Sequence, residues 1–177
     1  MRRLMVGATL LAASLMGVQC GGSDNPTGPS NTGPIVFTAQ LSAANEVPPV
    51  ANVESSARGT STVTMNVPRD SSGTPTGPGT IAISVQLSGF PPGTPVILGH
   101  IHTGAAGVNG PFIVNTNLVV QTALVLGDGT VNITFSTLEA SAAAAQAIYA
   151  NPAGHYVNFH TQLNPGGAVR GQLVRLQ

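Results

Sequence analysis

Residues 80–87 read Thr80-Ile81-Ala82-Ile83-Ser84-Val85-Gln86-Leu87, with an apolar side chain at every second position from Ile81. A period of two is that of a pleated strand with one face on a core and the other toward polar surroundings. The pattern recurs on either side of this stretch. Val63, Met65 and Val67 alternate with Thr62, Thr64 and Asn66, and Val131, Ile133 and Phe135 alternate with Asn132 and Thr134. Gly127-Asp128-Gly129 separates residues 123–126 from 131–135 and predicts a hairpin between them. Segments rich in Gly, Pro, Asn and Ser at 68–79, 89–95, 151–154 and 164–167 mark further turns. One stretch departs from the alternation. Ser136-Thr137-Leu138-Glu139 has the order of a capping box, alanines follow, and Asn151-Pro152 stops the run, which predicts a helix ending near Ala150. Many short strands and one helix specify an all-β fold: an antiparallel Greek-key β-sandwich or barrel whose short helix closes one end or covers an edge.

Composition narrows the function classes. Only 7% of the 177 residues are charged, the formal net charge is zero and every basic residue is arginine. A nucleic-acid binder needs a basic stripe to neutralise phosphates, and this chain has nothing to build one from. With 42% hydrophobic residues and little net charge the chain can bury a core, which argues against disorder. The single cysteine excludes an internal disulfide, so the fold rests on that core.

The N-terminus carries an address. Arg2-Arg3 precede an apolar run from Leu4 to Val18, and Cys20 follows. The run is short for a membrane span and suits the h-region of a secretory signal. It resembles a bacterial lipoprotein signal, in which the cysteine after the cleavage point is lipidated. Gln19 departs from the Gly, Ala or Ser such signals carry there, and ordinary secretion is the alternative. Residues 1–19 are thus expected to be a signal peptide and Cys20 a lipidation site. Residues 20–34, with no large apolar side chain, are expected to be a flexible tether. The expected location is the cell envelope, lipid-anchored at the outer membrane or cell surface, or the secreted fraction. The membrane contact would come through the N-terminal lipid.

Two motifs hold all four histidines: Gly99-His100-Ile101-His102-Thr103 and Gly154-His155-Tyr156-Val157-Asn158-Phe159-His160-Thr161. Alternation sets His100 and His102 opposite Ile97 and Ile101. In the second motif Val157 and Phe159 claim the core, leaving Tyr156, Asn158 and His160 on the other face. If the strands are neighbours, His100, His102 and His160 meet as a candidate metal set suited to copper or zinc. The competing expectation is that these are hydrogen-bonded structural histidines. Charges are so scarce that Glu46 and Arg170, in two turn-flanked motifs, invite pairing as a structural ion pair. No serine elbow, phosphate loop or suitably spaced carboxylate pair is present, so no catalytic residue is assigned.

The motifs fall in a characteristic order. Leu41-Ser42-Ala43-Ala44-Asn45-Glu46-Val47-Pro48-Pro49 comes first, then Gly99-His100-Ile101-His102-Thr103-Gly104 with Gly107-Val108-Asn109-Gly110-Pro111. Tyr156-Val157-Asn158-Phe159-His160-Thr161 follows, running through Asn164-Pro165-Gly166-Gly167 to Arg170-Gly171-Gln172-Leu173. This series resembles the CHRD domain, the module named from chordin, and places it over residues 35–177. The resemblance implies an extracellular all-β module and little about activity in bacteria. With catalytic signatures missing, the chain is expected to bind an extracellular or envelope macromolecule or serve a surface-structural role, and not to be an enzyme. A more local likeness exists as well. His100-Ile101-His102 followed by a Gly-rich loop and Gly110-Pro111-Phe112 is similar to the copper-ligand strand and loop of copper/zinc superoxide dismutases. Phe112 stands where a bridging histidine would be, and no zinc-site aspartate is evident. That likeness implies at most a metal-binding or copper-dependent redox protein with one metal site.

Overall fold

In the computed structural model, which describes residues 33–176, the alternating segments become strands. They are β1 (Ile35–Ser42), β2 (Arg58–Asn66), β3 (Gly79–Ser88), β4 (Thr94–Thr103), β5 (Phe112–Asn115), β6 (Leu124–Leu126), β7 (Val131–Ala140), β8 (His155–Thr161), β9 (Val169–Gln172) and β10 (Val174–Arg175). The one α-helix among the described residues, α1, spans Ala142–Ala150. The expected signal peptide, Cys20 and all but the last two residues of the expected tether lie outside the described residues.

Every pairing among these strands is antiparallel, in the order β5-β4-β8-β9-β1-β2-β3-β7. β5 approaches β7, so the sheet curls into a nearly closed barrel. Strands β1 to β3 form a meander. The chain then crosses to β4 on the far side of β1, and β8 and β9 fill the places between them, which is the Greek-key type of connection. The all-β expectation therefore holds. Inward residues such as Phe37, Val63, Ile83, Ile101, Val157 and Phe159 form one contiguous core. Transfer from water of such side chains, at about 25 cal/mol per Å2 of apolar surface, drives the closure.

β4 shows how the core and the polar face are divided. A register shift between Val96 and Leu98 lets both Val96 and Ile101 reach the core although they lie on opposite phases of a strict alternation. Ile97 is buried outside that core cluster. His100 and His102 stay on the face opposite Ile101.

Two local expectations change. Gly127-Asp128-Gly129 does make a turn, in which Gly129 N donates to Leu126 O at 3.1 Å and Asp128 Oδ1 accepts from Thr130 N at 3.0 Å. The flanking strands do not pair with each other, however: β6 pairs with β4 and β7 with β3. The turn passes the chain from one part of the barrel to another and makes no hairpin. Similarly, Ser136–Glu139 is strand, because Ile81 pairs with Leu138 and Gly79 with Ala140. Burying Leu138 and completing that ladder outweighs a single capped turn. The helix starts later, where Ser141 Oγ accepts from Ala144 N at 3.1 Å.

The barrel has two distinct ends. The start of β1 lies beside Met65 and, through Ile81, Leu138, at the end where β7 runs into α1. Leu176 N donates to Val36 O at 2.8 Å, so β10 finishes there too. The finish of β1, where Ser42 pairs with Arg170, belongs to the other half.

Candidate metal centre

β8 lies between β4 and β9 and all seven of its residues are buried. One face packs on the core through Val157 and Phe159. The other carries Tyr156, Asn158 and His160. Register extends this face across the neighbours: His100 lies opposite Asn158 and Asn158 opposite Arg170, while His102 lies opposite Tyr156 and Tyr156 opposite Gln172. A polar layer outside a barrel would ordinarily be wet. This one is roofed by the segments that join β1 to β2, β4 to β5 and β8 to β9.

Hydrogen bonds from scarce polar groups lock that roof. Asn45 Nδ2 donates to Arg170 O at 3.1 Å, and Asn109 Nδ2 donates to Val47 O at 2.9 Å. Glu54, only 2% exposed, accepts from Thr161 Oγ1 and Asn164 Nδ2, both at 2.6 Å. Gln172 Nε2 donates to Gly104 O at 3.0 Å. Glu54, which holds the β1–β2 and β8–β9 segments together, carries no signal in the sequence beyond the scarcity of charge.

Beneath the roof His100, His102 and His160 converge, with one ligand nitrogen of each within 4.8 Å of the others. Backbone carbonyls set the tautomers. His102 Nδ1 lies 2.9 Å from Gly110 O, and His160 Nδ1 lies 2.9 Å from Pro165 O. A carbonyl only accepts, so both Nδ1 atoms carry hydrogen and both Nε2 atoms hold lone pairs. The lone pair of His160 Nε2 takes a hydrogen bond from His100 Nδ1 at 3.2 Å. The Nε2 atom of His102 is buried without a partner. An orphaned lone pair beside two further imidazole nitrogens is what a cation would satisfy. The carbonyl hydrogen bonds are the outer supports that orient ligating histidines in metal proteins.

The site keeps its imidazoles neutral. Burial pushes His100 down to about 4, with His160 and His102 adding to the effect. Burial also lowers His102; the Gly110 carbonyl opposes this and the charge of Arg170 reinforces it. His160 is lowered by burial too, against the pull of the Pro165 carbonyl. Neutral imidazole is the form that binds metal, so near pH 7 no proton has to be displaced from a charged ring. His155, the remaining histidine, stands outside this group and holds Asn151 O through Nδ1 at 2.9 Å.

Aromatic rings enclose the group. Tyr156 stacks on His102 with centroids 4.9 Å apart and planes 5° apart, and the Arg170 guanidinium lies 4.3 Å from the centre of the Tyr156 ring. Phe112 stacks on His100 at 4.7 Å.

Arg170 and Glu46 enter the same layer, but not as a bidentate pair. Among the described residues, the guanidinium donates to Asn109 Oδ1 at 2.8 Å and Val108 O at 3.4 Å, not to Glu46. Glu46 accepts from Asn158 Nδ2 at 2.6 Å. Its carboxyl is raised to about 7 by burial, which outweighs the opposing charge of Arg170 and the Asn158 hydrogen bond. Gly167 makes room for it: with φ +141° and a would-be Cβ 2.5 Å from Glu46 Oε2, no larger residue fits without displacement.

A family model of the CHRD domain matches residues 37–173. No curated protein and no solved structure matches the chain.

Proposed function

The chain belongs to the CHRD family, and on that footing we propose that it is an exported protein whose domain binds one copper or zinc ion through His100, His102 and His160. The observation that carries this reading is the meeting of two carbonyl-anchored imidazoles and a third, with the His102 Nε2 lone pair left unsatisfied. The donor set contains nitrogen alone, which suits zinc and copper and is poor for magnesium or calcium. The reading names no reaction. His100, His102 and His160 bind and orient the ion, while Gly110 and Pro165 hold two of the rings in place.

Titration of the protein with copper and with zinc, followed by calorimetry, tests the proposal. The wild type is expected to bind one ion, and His102→Ala to lose at least about a hundredfold in affinity. Equal affinity in the two proteins would remove the site and leave the surface-structural reading of the CHRD module in its place.

The export part of the proposal is supported by the apolar run ahead of Cys20 and the Gly/Pro/Ser-rich stretch behind it. Mass spectrometry of the mature N-terminus is expected to show a lipid-modified Cys20 as the first residue. An unmodified Cys20, or a chain beginning elsewhere, would reject the anchor. The partner, in this reading, is an envelope or extracellular macromolecule presented with the loaded domain.

A further inference from the structure

We infer that the Phe112 ring is the gate through which metal enters and leaves the histidine site; the inference rests on the metal reading given above. The other neighbours of the three imidazoles are held in place, although His102 is only partly buried. Tyr156 lies flat on His102 and is itself buried, at 3% exposure. The Gly110 and Pro165 carbonyls hold His102 and His160 from the roof. Behind the rings runs the paired backbone of β4 and β8.

Phe112 differs from these. The residue is 54% exposed, yet its ring lies on His100 with planes 17° apart and meets His102 edge-on at 6.3 Å. His100 beneath it is only 6% exposed. A large apolar ring is therefore spent covering a polar nitrogen ring and is not packed into the core. The backbone on either side of Phe112 is fixed. Before it Gly110 O holds His102 and Pro111 O accepts from Thr103 N at 2.9 Å, and after it Val114 pairs with Ile101. Phe112 opens β5, a strand at one edge of the sheet, with a register shift at its pairing with His102. An anchored backbone with a half-exposed side chain permits rotation of the ring alone. Rotation about χ1 would lift it from His100 without moving a hydrogen bond, on the time scale of exposed side-chain motion.

Gating has a kinetic signature that simple support of His100 lacks. Removing a gate speeds arrival and departure together and leaves the equilibrium nearly unchanged. The test is stopped-flow measurement of zinc uptake, and of zinc release to excess chelator, in wild type, Phe112→Ala and Phe112→Leu. Phe112→Ala is expected to accelerate both rates by about tenfold, with the dissociation constant within about threefold of wild type. Phe112→Leu, which keeps an apolar cover, is expected to stay near wild-type rates. Unchanged rates in Phe112→Ala would overturn the gate. So would weaker binding through release alone, which would make Phe112 a prop for His100. Absence of zinc and copper binding in the wild type would overturn the metal reading itself and the gate with it, an outcome distinct from the other two.

Discussion

Arg170→Met is expected to lower the stability of the domain by about 2–4 kcal/mol in urea denaturation near pH 7, the loss of its charged hydrogen bonds and of its contact with the Tyr156 ring. Arg170 is 1% exposed and leads the fully buried side chains in size. Methionine replaces most of its aliphatic stem, so the loss reports on the guanidinium. That group supplies donors to Asn109 Oδ1 and Val108 O, and Asn109 in turn donates to Val47 O. Removing it takes away both donors that tie the exposed residues Val108 and Asn109 to β9, and leaves the Gln172 Nε2–Gly104 O bond to hold the β4–β5 roof there. It also strips the cation from the Tyr156 face, and Tyr156 is the ring that backs His102. Arg170→Lys retains charge without the planar fork and should fall between the two. A loss below about 1 kcal/mol for Arg170→Met would mean that the roof is held elsewhere, with Glu54 the first place to look.

Glu46→Gln should act in the opposite direction, and only at higher pH. The folded carboxyl sits at about 7 against an ordinary 4.5 because burial disfavours its charge. A raised folded value means that the folded state holds the proton more tightly than the unfolded chain. Its favourable contribution is complete below 4.5 and is lost as pH rises through about 7. Glutamine has no such proton and keeps an oxygen to accept from Asn158. The variant is therefore expected to match wild type near pH 4.5 and to exceed it by about 1–3 kcal/mol at pH 8, after allowance for water near the group. Urea denaturation at the two pH values measures the gap. A variant less stable than wild type at pH 8 would show that the attraction of Arg170 outweighs burial. The two substitutions together separate neighbours whose roles differ: the arginine holds structure, and the carboxylate is tolerated.

The strands are legible in the sequence because their alternation follows from one physical rule, that one face of each is buried. The same rule sets Tyr156, Asn158 and His160 opposite Val157 and Phe159, but the three histidines meet only because β4 and β8 are neighbours, which residue order does not decide. It fails where local chemistry has two equivalent uses. Ser136 with Glu139 and Ser141 with its own helix both offer a cap, and only the pairing of Leu138 and Ala140 with β3 decides between them. Gly127-Asp128-Gly129 signals a turn but says nothing about which strands its flanks will join. The Gly110 and Pro165 contributions are made by backbone carbonyls, so residue identity there does not display them. Phe112 reads in sequence as an apolar residue at the wrong place for a ligand. Its stacking on His100 depends on how β5 folds back over β4.

The placement of β1 and β10 gives the molecule a mounting direction. Whatever precedes Ile35 joins at the end beside the last strand, while Arg170 and His100 lie in the register row where β1 finishes. An attachment made ahead of Ile35 thus grips the barrel by its base. Held in that way on a membrane or on a sensor chip, the domain turns its imidazole face outward and its fastening inward, so that anchoring and exchange with the surroundings do not compete for the same surface.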